Sequence, residues 1–326
     1  MKLFRSQKRK TRYRVFFATD VHGSDRCFRK FLAAGKVYEA DALILGGDVG
    51  GKAIVPFVTA PGGGYMYVTG GESLTISEDE LAPACDRVAT NGLYPKVCEP
   101  SEAERLAQDP QHRRRVFEQL ICDQLQGWCD LAAERLSDDV RCIITPGNDD
   151  PIAIDEVLRQ AKRIECPERE VARLGPIALA SLGSTNRTPW ATDREFDEDV
   201  LTDQIEEMLA ANTWGSDVPL VYNFHCPPYN SGLDVAAELD ENFRPVIRHG
   251  AQSQIPVGST AVRDAILAHQ PVAGLHGHIH ESAGVDYLGE TACFNPGSEF
   301  GSGVLRGLIV DFENDGSLGA YLMTSG

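Results

Sequence analysis

No apolar run in this 326-residue sequence approaches the roughly 18 residues needed to span a bilayer, so no transmembrane helix is expected. The first residues, MKLFRSQKRKTRYRVFFATD, carry the basic flank of a signal peptide. They lack its apolar core, because VFFA stops at Asp20. CxxC pairs are also missing. The nine cysteines, at positions 27, 85, 98, 122, 129, 142, 166, 226 and 293, are scattered and odd in number. That pattern argues against a disulfide framework or a thiolate zinc site and suits reduced thiols. A cytoplasmic protein is the expectation. No internal repeat, low-complexity tract or convincing Ser-His-Asp or Cys-His arrangement is present either, so no side-chain nucleophile stands out.

Positive charge is scarce outside one segment. Residues 1–14 hold seven of the 31 lysines and arginines and no acid, leaving 24 basic against 48 acidic residues in the remainder. A body of net charge −24 repels polyanions and disfavours nucleic-acid binding. The basic residues 1–14 read as a solvated tail.

What the sequence does have is a set of short apolar runs, each followed by polar residues. VFFA precedes Asp20 and His22, ALIL precedes Gly46, Gly47 and Asp48, and VRCIIT precedes Asn148. PLVYNF precedes His225, and PVAGL precedes His276, His278 and His280. Helical patterns lie between them, the longest marked by Val116, Leu120, Ile121, Leu125, Trp128, Leu131 and Ala132. Strands alternating with helices predict an α/β architecture, whose sites form beyond the carboxyl ends of strands. After residue 283, TACFN, VLRGLIVDF and GAYLMT read as antiparallel strands and hairpins. Between 48 and 148 there is more chain than one crossover helix needs. We read about 52–110 as an insertion, a β-hairpin around a Gly-rich turn and then a helix with acids in its first turn. It is expected to lie near the site, to make a subunit contact or simply to decorate the surface.

Asp20, Asp48, Asn148 and the histidines 22, 225, 278 and 280 all fall at predicted strand ends. Seven oxygen and nitrogen donors without sulfur suit a pair of divalent ions such as Mn²⁺, Fe²⁺, Zn²⁺ or Mg²⁺. Two residues apart on extended backbone, Asp20 and His22 point to one side, as do His278 and His280.

In this order, DVHGS (20–24), GGD (46–48), PGND (146–149), NFHCPP (223–228) and GHIH (277–280) resemble the calcineurin-like metallophosphoesterase superfamily. The likeness runs from about residue 15 to 300 without the insertion, and NPGS (295–298) adds to it. The resemblance implies one domain over 15–326, a four-layer αββα sandwich of two mixed β-sheets flanked by helices. It further implies a binuclear centre in which Asp20, His22 and His280 hold one metal, Asn148, His225 and His278 the other, and Asp48 bridges both. Hydrolysis would then proceed by attack of a hydroxide bridging ions roughly 3.5–4 Å apart.

Two positions depart from the pattern, and a third has a local explanation. Most members carry His after the Asn of the third motif, a residue taken to assist the leaving oxygen; here it is Asp149. The candidates for that role are Asp149 itself and His276, for which a core position is the competing expectation. Asp150, followed by Pro151 and IAIDEVL, reads as a helix N-cap. Gly51 stands where the family commonly has Asn or Asp after GD, so support for a neighbouring ligand is expected to be missing.

The expectation is a phosphoesterase loaded with two divalent ions, Mn²⁺ favoured, acting on small phosphate esters and more on diesters than monoesters. A phosphomonoesterase, a nucleotide or protein phosphatase, and a metal-binding scaffold without catalysis are the alternatives. Oligomerisation through the insertion is left open.

Overall fold

The computed structural model describes residues 12–211, 215 and 217–326. In chain order it runs β1 (Arg12–Ala18), α1 (Asp25–Val37), β2 (Ala42–Gly46), β3 (Ala53–Thr59), β4 (Tyr65–Thr69), β5 (Glu72–Ile76), α2 (Glu78–Thr90), β6 (Leu93–Cys98), α3 (Pro100–Gln108) and α4 (Pro110–Arg135). It continues β7 (Arg141–Thr145), α5 (Ile154–Gln160), β8 (Glu170–Leu174), β9 (Ile177–Leu182), β10 (Thr185–Asn186), β11 (Glu195–Phe196), α6 (Glu198–Ala210), β12 (Leu220–Phe224) and β13 (Val235–Ala237). Then come β14 (Ile247–Arg248), β15 (Ala251–Gln252), β16 (Gln254–Pro256), α7 (Thr260–His269), β17 (Ala273–Leu275), β18 (Gly284–Leu288), β19 (Thr291–Asn295), β20 (Arg306–Glu313) and β21 (Leu318–Ser325).

Two mixed sheets carry the molecule. The first has the order β21-β20-β1-β2-β7 and the second β18-β19-β17-β12-β9-β8. Their strand sequences explain the layering. In β1, Val15 and Phe17 point to one face and Phe16 and Ala18 to the other; in β2, Ala42 and Ile44 oppose Leu43 and Leu45. A strand apolar on both faces must be covered on both. The inner faces meet through Phe17, Ile44, Leu179, Val221, Leu275, Phe294 and Phe312. Outside the first sheet, Phe28 and Phe31 of α1, Ile121, Leu125 and Trp128 of α4, and Leu158 of α5 complete a second core. Outside the second, Leu201 and Ile205 of α6 and Val262 and Ile266 of α7 pack on Tyr222 and Phe224. The result is the expected four-layer αββα sandwich. No helix among the described residues is long and apolar enough to cross a membrane.

Local signals account for most helix starts. Ser24 and Ser259 cap α1 and α7 by accepting from the amides of Cys27 and Val262. Asp109 accepts from the His112 amide, with Pro110 opening α4.

Four expectations need adjustment. Most of the basic segment 1–14 lies outside the described residues, but Arg12, Tyr13 and Arg14 belong to β1, which pairs with β20; Asp41 satisfies the Arg14 backbone, and Asp311 pairs with both arginines. The insertion holds more than a hairpin and a helix. β3, β4 and β5 form a meander, β6 adds parallel to β3, and α2 and α3 accompany the four-stranded sheet. It has its own small core of Val55, Phe57, Tyr67, Ala84 and Val88. β19 is not purely antiparallel, since it pairs parallel with β17 as well as antiparallel with β18. Asp150 does not cap a helix: α5 begins only at Ile154, after Ala153.

Candidate metal centre

Five parallel strands end at one place, and each delivers its polar residues there. β1, β2 and β7 of the first sheet lead into Asp20 and His22, Asp48, and Asn148. β12 and β17 of the second lead into His225, and His278 and His280. The two sheets are joined at this edge by Asn223, whose amide donates to Thr145 Oγ1 at 3.1 Å and Ser181 Oγ at 3.2 Å.

The loops turn more sharply than ordinary L-residues prefer. Asp20, His22, Asp48 and His278 all have positive φ, between 40° and 67°. Such conformations cost on the order of 1–3 kcal/mol each and persist only where surroundings enforce them. Here the loops enforce one another, with the amides of Asp20 and His22 donating to the carbonyls of Gly47 and Asp48, each at 3.0 Å. Gly47 is required twice over, by a φ of 113° and because a Cβ would stand 2.3 Å from His225 Nδ1. The NPGS segment braces the same edge. Asn295 donates to the Ile279 carbonyl and Ser298 to that of Asp20.

Two trios of donor atoms lie within 4.8 Å of one another, Asp20 with His22 and His280, and Asp48 with His225 and His278. The His22 and His280 Nε2 atoms are 3.0 Å apart, and His280 Nε2 is 3.3 Å from Asp20 Oδ1. Asp48 Oδ1 is 3.3 Å from His225 Nε2, and its Oδ2 is 3.7 Å from His22 Nε2. Asn148 completes the set. Its amide donates to Thr192 Oγ1 at 3.0 Å and Glu195 Oε1 at 3.4 Å, which fixes the side-chain flip and leaves Oδ1 buried without a partner.

Burial and charge set the protonation of these groups. Burial would raise the Asp20 and Asp48 carboxyls, but the charge of His225 leads the effects that hold both below the usual carboxylate range. For His225, burial opposes protonation, yet Asp48 and Asp20 raise it to about 10. Burial lowers His22 to about 3 and His278 to about 4, so both imidazoles are neutral with a lone pair to give. His225 Nδ1 lies 2.9 Å from the Gly46 carbonyl and donates to it, which directs Nε2 to the carboxylates. Two buried carboxylates, facing imidazoles and an orphaned amide oxygen fit divalent cations of the oxygen- and nitrogen-preferring kind.

The remaining candidates fall elsewhere. His276 is fully buried, and its Nδ1 sits 2.8 Å from the Phe224 carbonyl and 3.1 Å from that of Cys226, bracketing His225. Its Nε2 lies by Gly274 and Cys293, on the side of the α6–α7 core, so it braces the β12 end and does not face the cluster. Asp149 does border it, with a carboxylate oxygen within 4.8 Å of donor atoms of His22 and Asp48 and a backbone amide donating to Asp48 Oδ1. Its own carboxylate pairs with Lys52 at 3.0 Å. Asp150 accepts from three backbone amides, those of Gly147, Val49 and Gly50, at 2.7–3.0 Å. The support expected to be missing at Gly51 therefore arrives from Asp150. Glu281 is exposed.

Lys52, Thr192 and Glu195 were not singled out by the sequence. Thr192 and Glu195 reach Asn148 across 44 and 47 residues, and Lys52 reaches Asp149 across 97, so no local pattern betrays them.

No family model matches the chain. An uncharacterized protein of Methanocaldococcus jannaschii is 29% identical over 164 residues, 49% of this chain. The match spans 66% of that relative, just under two thirds of its length. A solved structure at 16% identity superposes with a TM-score of 0.55, covering 96% of this chain and 98% of its own. That of the protein TT1561 from Thermus thermophilus, 12% identical, gives 0.50 over 97% and 99%. At such identities the structures speak to the fold. The chain shares the overall fold of these two structures, and the five ordered motifs that resemble the calcineurin-like metallophosphoesterase superfamily converge at one edge of its two-sheet sandwich.

Proposed function

We propose that the chain is a metal-dependent phosphoesterase that hydrolyses phosphodiesters in preference to monoesters. The observation that carries this is the pair of donor trios, joined by the orphaned Asn148 oxygen, at the meeting edge of the two sheets. Asp20, His22 and His280 would hold one divalent ion, Asn148, His225 and His278 the second, and Asp48 both, with Mn²⁺ the favoured metal. When bound, such a pair supplies the positive charge that acidifies water and draws in phosphoryl oxygens.

The chain's own residues do the rest by orientation. The Gly46 carbonyl fixes the His225 tautomer, Thr192 and Glu195 turn the Asn148 oxygen inward, and Thr19 and the His278 amide hold the Asp20 carboxylate. In the net reaction water's oxygen bonds to phosphorus. The P–O bond to one alcohol breaks with its electron pair, and that oxygen ends protonated. No imidazole proton donor stands at Asp149, whose carboxylate is committed to Lys52. Esters of acidic alcohols should therefore react fastest. The missing donor, together with the DVHGS and NPGS likenesses, is what motivates the diester preference.

The test is turnover of the Mn²⁺-loaded protein. Bis-(p-nitrophenyl) phosphate is expected to be cleaved faster than p-nitrophenyl phosphate, and the reverse ranking would overturn the diester preference. Asp48→Asn and His225→Ala are expected to lose both bound metal, read by elemental analysis, and activity; retention of both properties would refute the ligand set.

A further inference from the structure

A cleft of about 450 Å³ opens beside Asp149 and runs between the start of β3, the first turns of α4 and the loops carrying Pro151 and Thr192. Its volume lies within the range of small-molecule sites. We infer that this cleft is the subsite for an uncharged organic arm of a phosphodiester, with Lys52 at its junction with the metal centre. The inference rests on the diesterase reading above and names which diesters it takes.

Three observations point this way. The first is position. Lys52 opens the insertion, and its ammonium is 3.0 Å from Asp149 Oδ2, while the Asp149 amide bonds to Asp48. The Asp149 carboxylate, which borders the donor cluster, thus connects Lys52 and the cleft to it.

The second is the apolar wall. Ile54, Pro110, Phe117 and Pro151 line the cleft. Phe117 meets Tyr94 edge-on at 5.7 Å, and the Tyr94 hydroxyl is anchored to the Gly51 amide. A ring held in this way is ready to pack a flat group, with little ordering needed on binding.

The third is charge balance. The wall has three cations, Lys52, Arg113 and Arg114, and three carboxylates, Asp149, Glu118 and Asp193. Arg114 is tied to Glu118 at 2.8 Å and Asp193 at 2.6 Å, and Lys52 to Asp149. Arg113 bonds to the carbonyls of Leu106 and Ala107 at the end of α3. A wall so balanced has little to offer a second phosphate, but it accommodates a neutral arm whose diester carries its single charge at the centre.

Calorimetry on the Mn²⁺-loaded protein tests this with two non-chromogenic diesters, diphenyl phosphate and dimethyl phosphate. Diphenyl phosphate is expected to bind about tenfold tighter or more, since burying one phenyl ring accounts for that ratio. Phe117→Ala should remove most of the difference while leaving dimethyl phosphate unchanged. Should that variant fold poorly, Ile54→Ser reads the same wall at a partly exposed position. Lys52→Met should weaken both diesters, and Lys52→Arg should restore them, a rescue that a purely structural role would not give. Equal affinity of the two diesters for the wild type, or a difference surviving both Phe117→Ala and Ile54→Ser, would overturn the assignment. An enzyme that binds diphenyl phosphate through this wall but cleaves no diester defeats the diesterase reading and leaves the cleft standing.

Discussion

Asn148, Asp149 and Asp150 stand side by side in the chain and answer to three different partners. The Asn148 amide is held by Thr192 and Glu195, Asp149 by Lys52, and Asp150 by three backbone amides from two loops. The energetic weight of the two acids differs accordingly. Asp150 has no exposure, and burial, followed by the nearby charge of Asp48, raises its carboxyl to about 6 even though the amides favour the ionised form. Removing it orphans three buried N–H groups at once. Asp149 and Lys52 are both partly solvated, with side chains 27% and 42% exposed, so their ion pair contributes little to folding. Asp150→Ala is expected to lower unfolding stability by about 3 kcal/mol or more, and Asp149→Ala by less than about 1 kcal/mol. Urea denaturation of the two variants checks this, and equal losses would contradict the division of roles. The sequence misread Asp150 for a physical reason. Asp-Pro before a helical pattern is a local cap signal, but amides of residues 49 and 50 are about a hundred positions away and leave no local trace.

Elements were legible where their chemistry is local. The strands bearing the ligands are short apolar runs with polar residues at their ends, and a buried strand can look no other way in sequence. The insertion's sheet was less visible. β5 reads ESLTI, with all but its last residue exposed, and β6 carries Pro95, which normally demotes a strand. Tertiary pairing to β4 and β3 overrides both signals. The turn from α2 into β6 then meets the site itself. Gly92 has φ of 72°, and a Cβ there would stand 2.1 Å from the His22 carbonyl and 2.9 Å from the Phe300 ring. Gly92→Ala is expected to cost about 2–4 kcal/mol through backbone strain and a clash that neither neighbour can relieve, and to depress activity by displacing the His22 loop. Gly127, inside α4 with nothing near its missing Cβ, is the matched control. Gly127→Ala should be neutral or stabilise by up to about 1 kcal/mol. Thermal unfolding and turnover of the pair decide it, and a Gly92→Ala protein as stable and active as Gly127→Ala would show that the insertion does not press on the site.

At the scale of the whole molecule, the centre is divided between the two sheets. The first contributes Asp20, His22, Asp48 and Asn148, and the second His225, His278 and His280. Both trios read as ligand sets cross the divide, because Asp20 and His22 need His280, and Asp48 needs His225 and His278, while among the described residues the first sheet alone offers only the group of His22, Asp48 and the Lys52-paired Asp149. A cation bound here would tie the halves together and be lost when they separate, so binding energy becomes folding energy. In the protein's own charge balance, two buried carboxylates lean on the His225 imidazolium, a weaker arrangement than a divalent ion would give. Mn²⁺ at about a hundred times its dissociation constant should therefore stabilise the fold by about 2.7 kcal/mol for each ion bound. For a chain of this length that is a rise in melting temperature of several degrees, reversed by a chelator. Asp48→Asn removes the one carboxylate read as shared by both ions, and its metal-dependent rise should shrink to a small fraction of the wild-type value. Differential scanning calorimetry with and without Mn²⁺ reads both quantities. A wild type whose melting temperature ignores the metal, or an Asp48→Asn variant that responds as fully, would mean that the two sheets are not joined through this cluster.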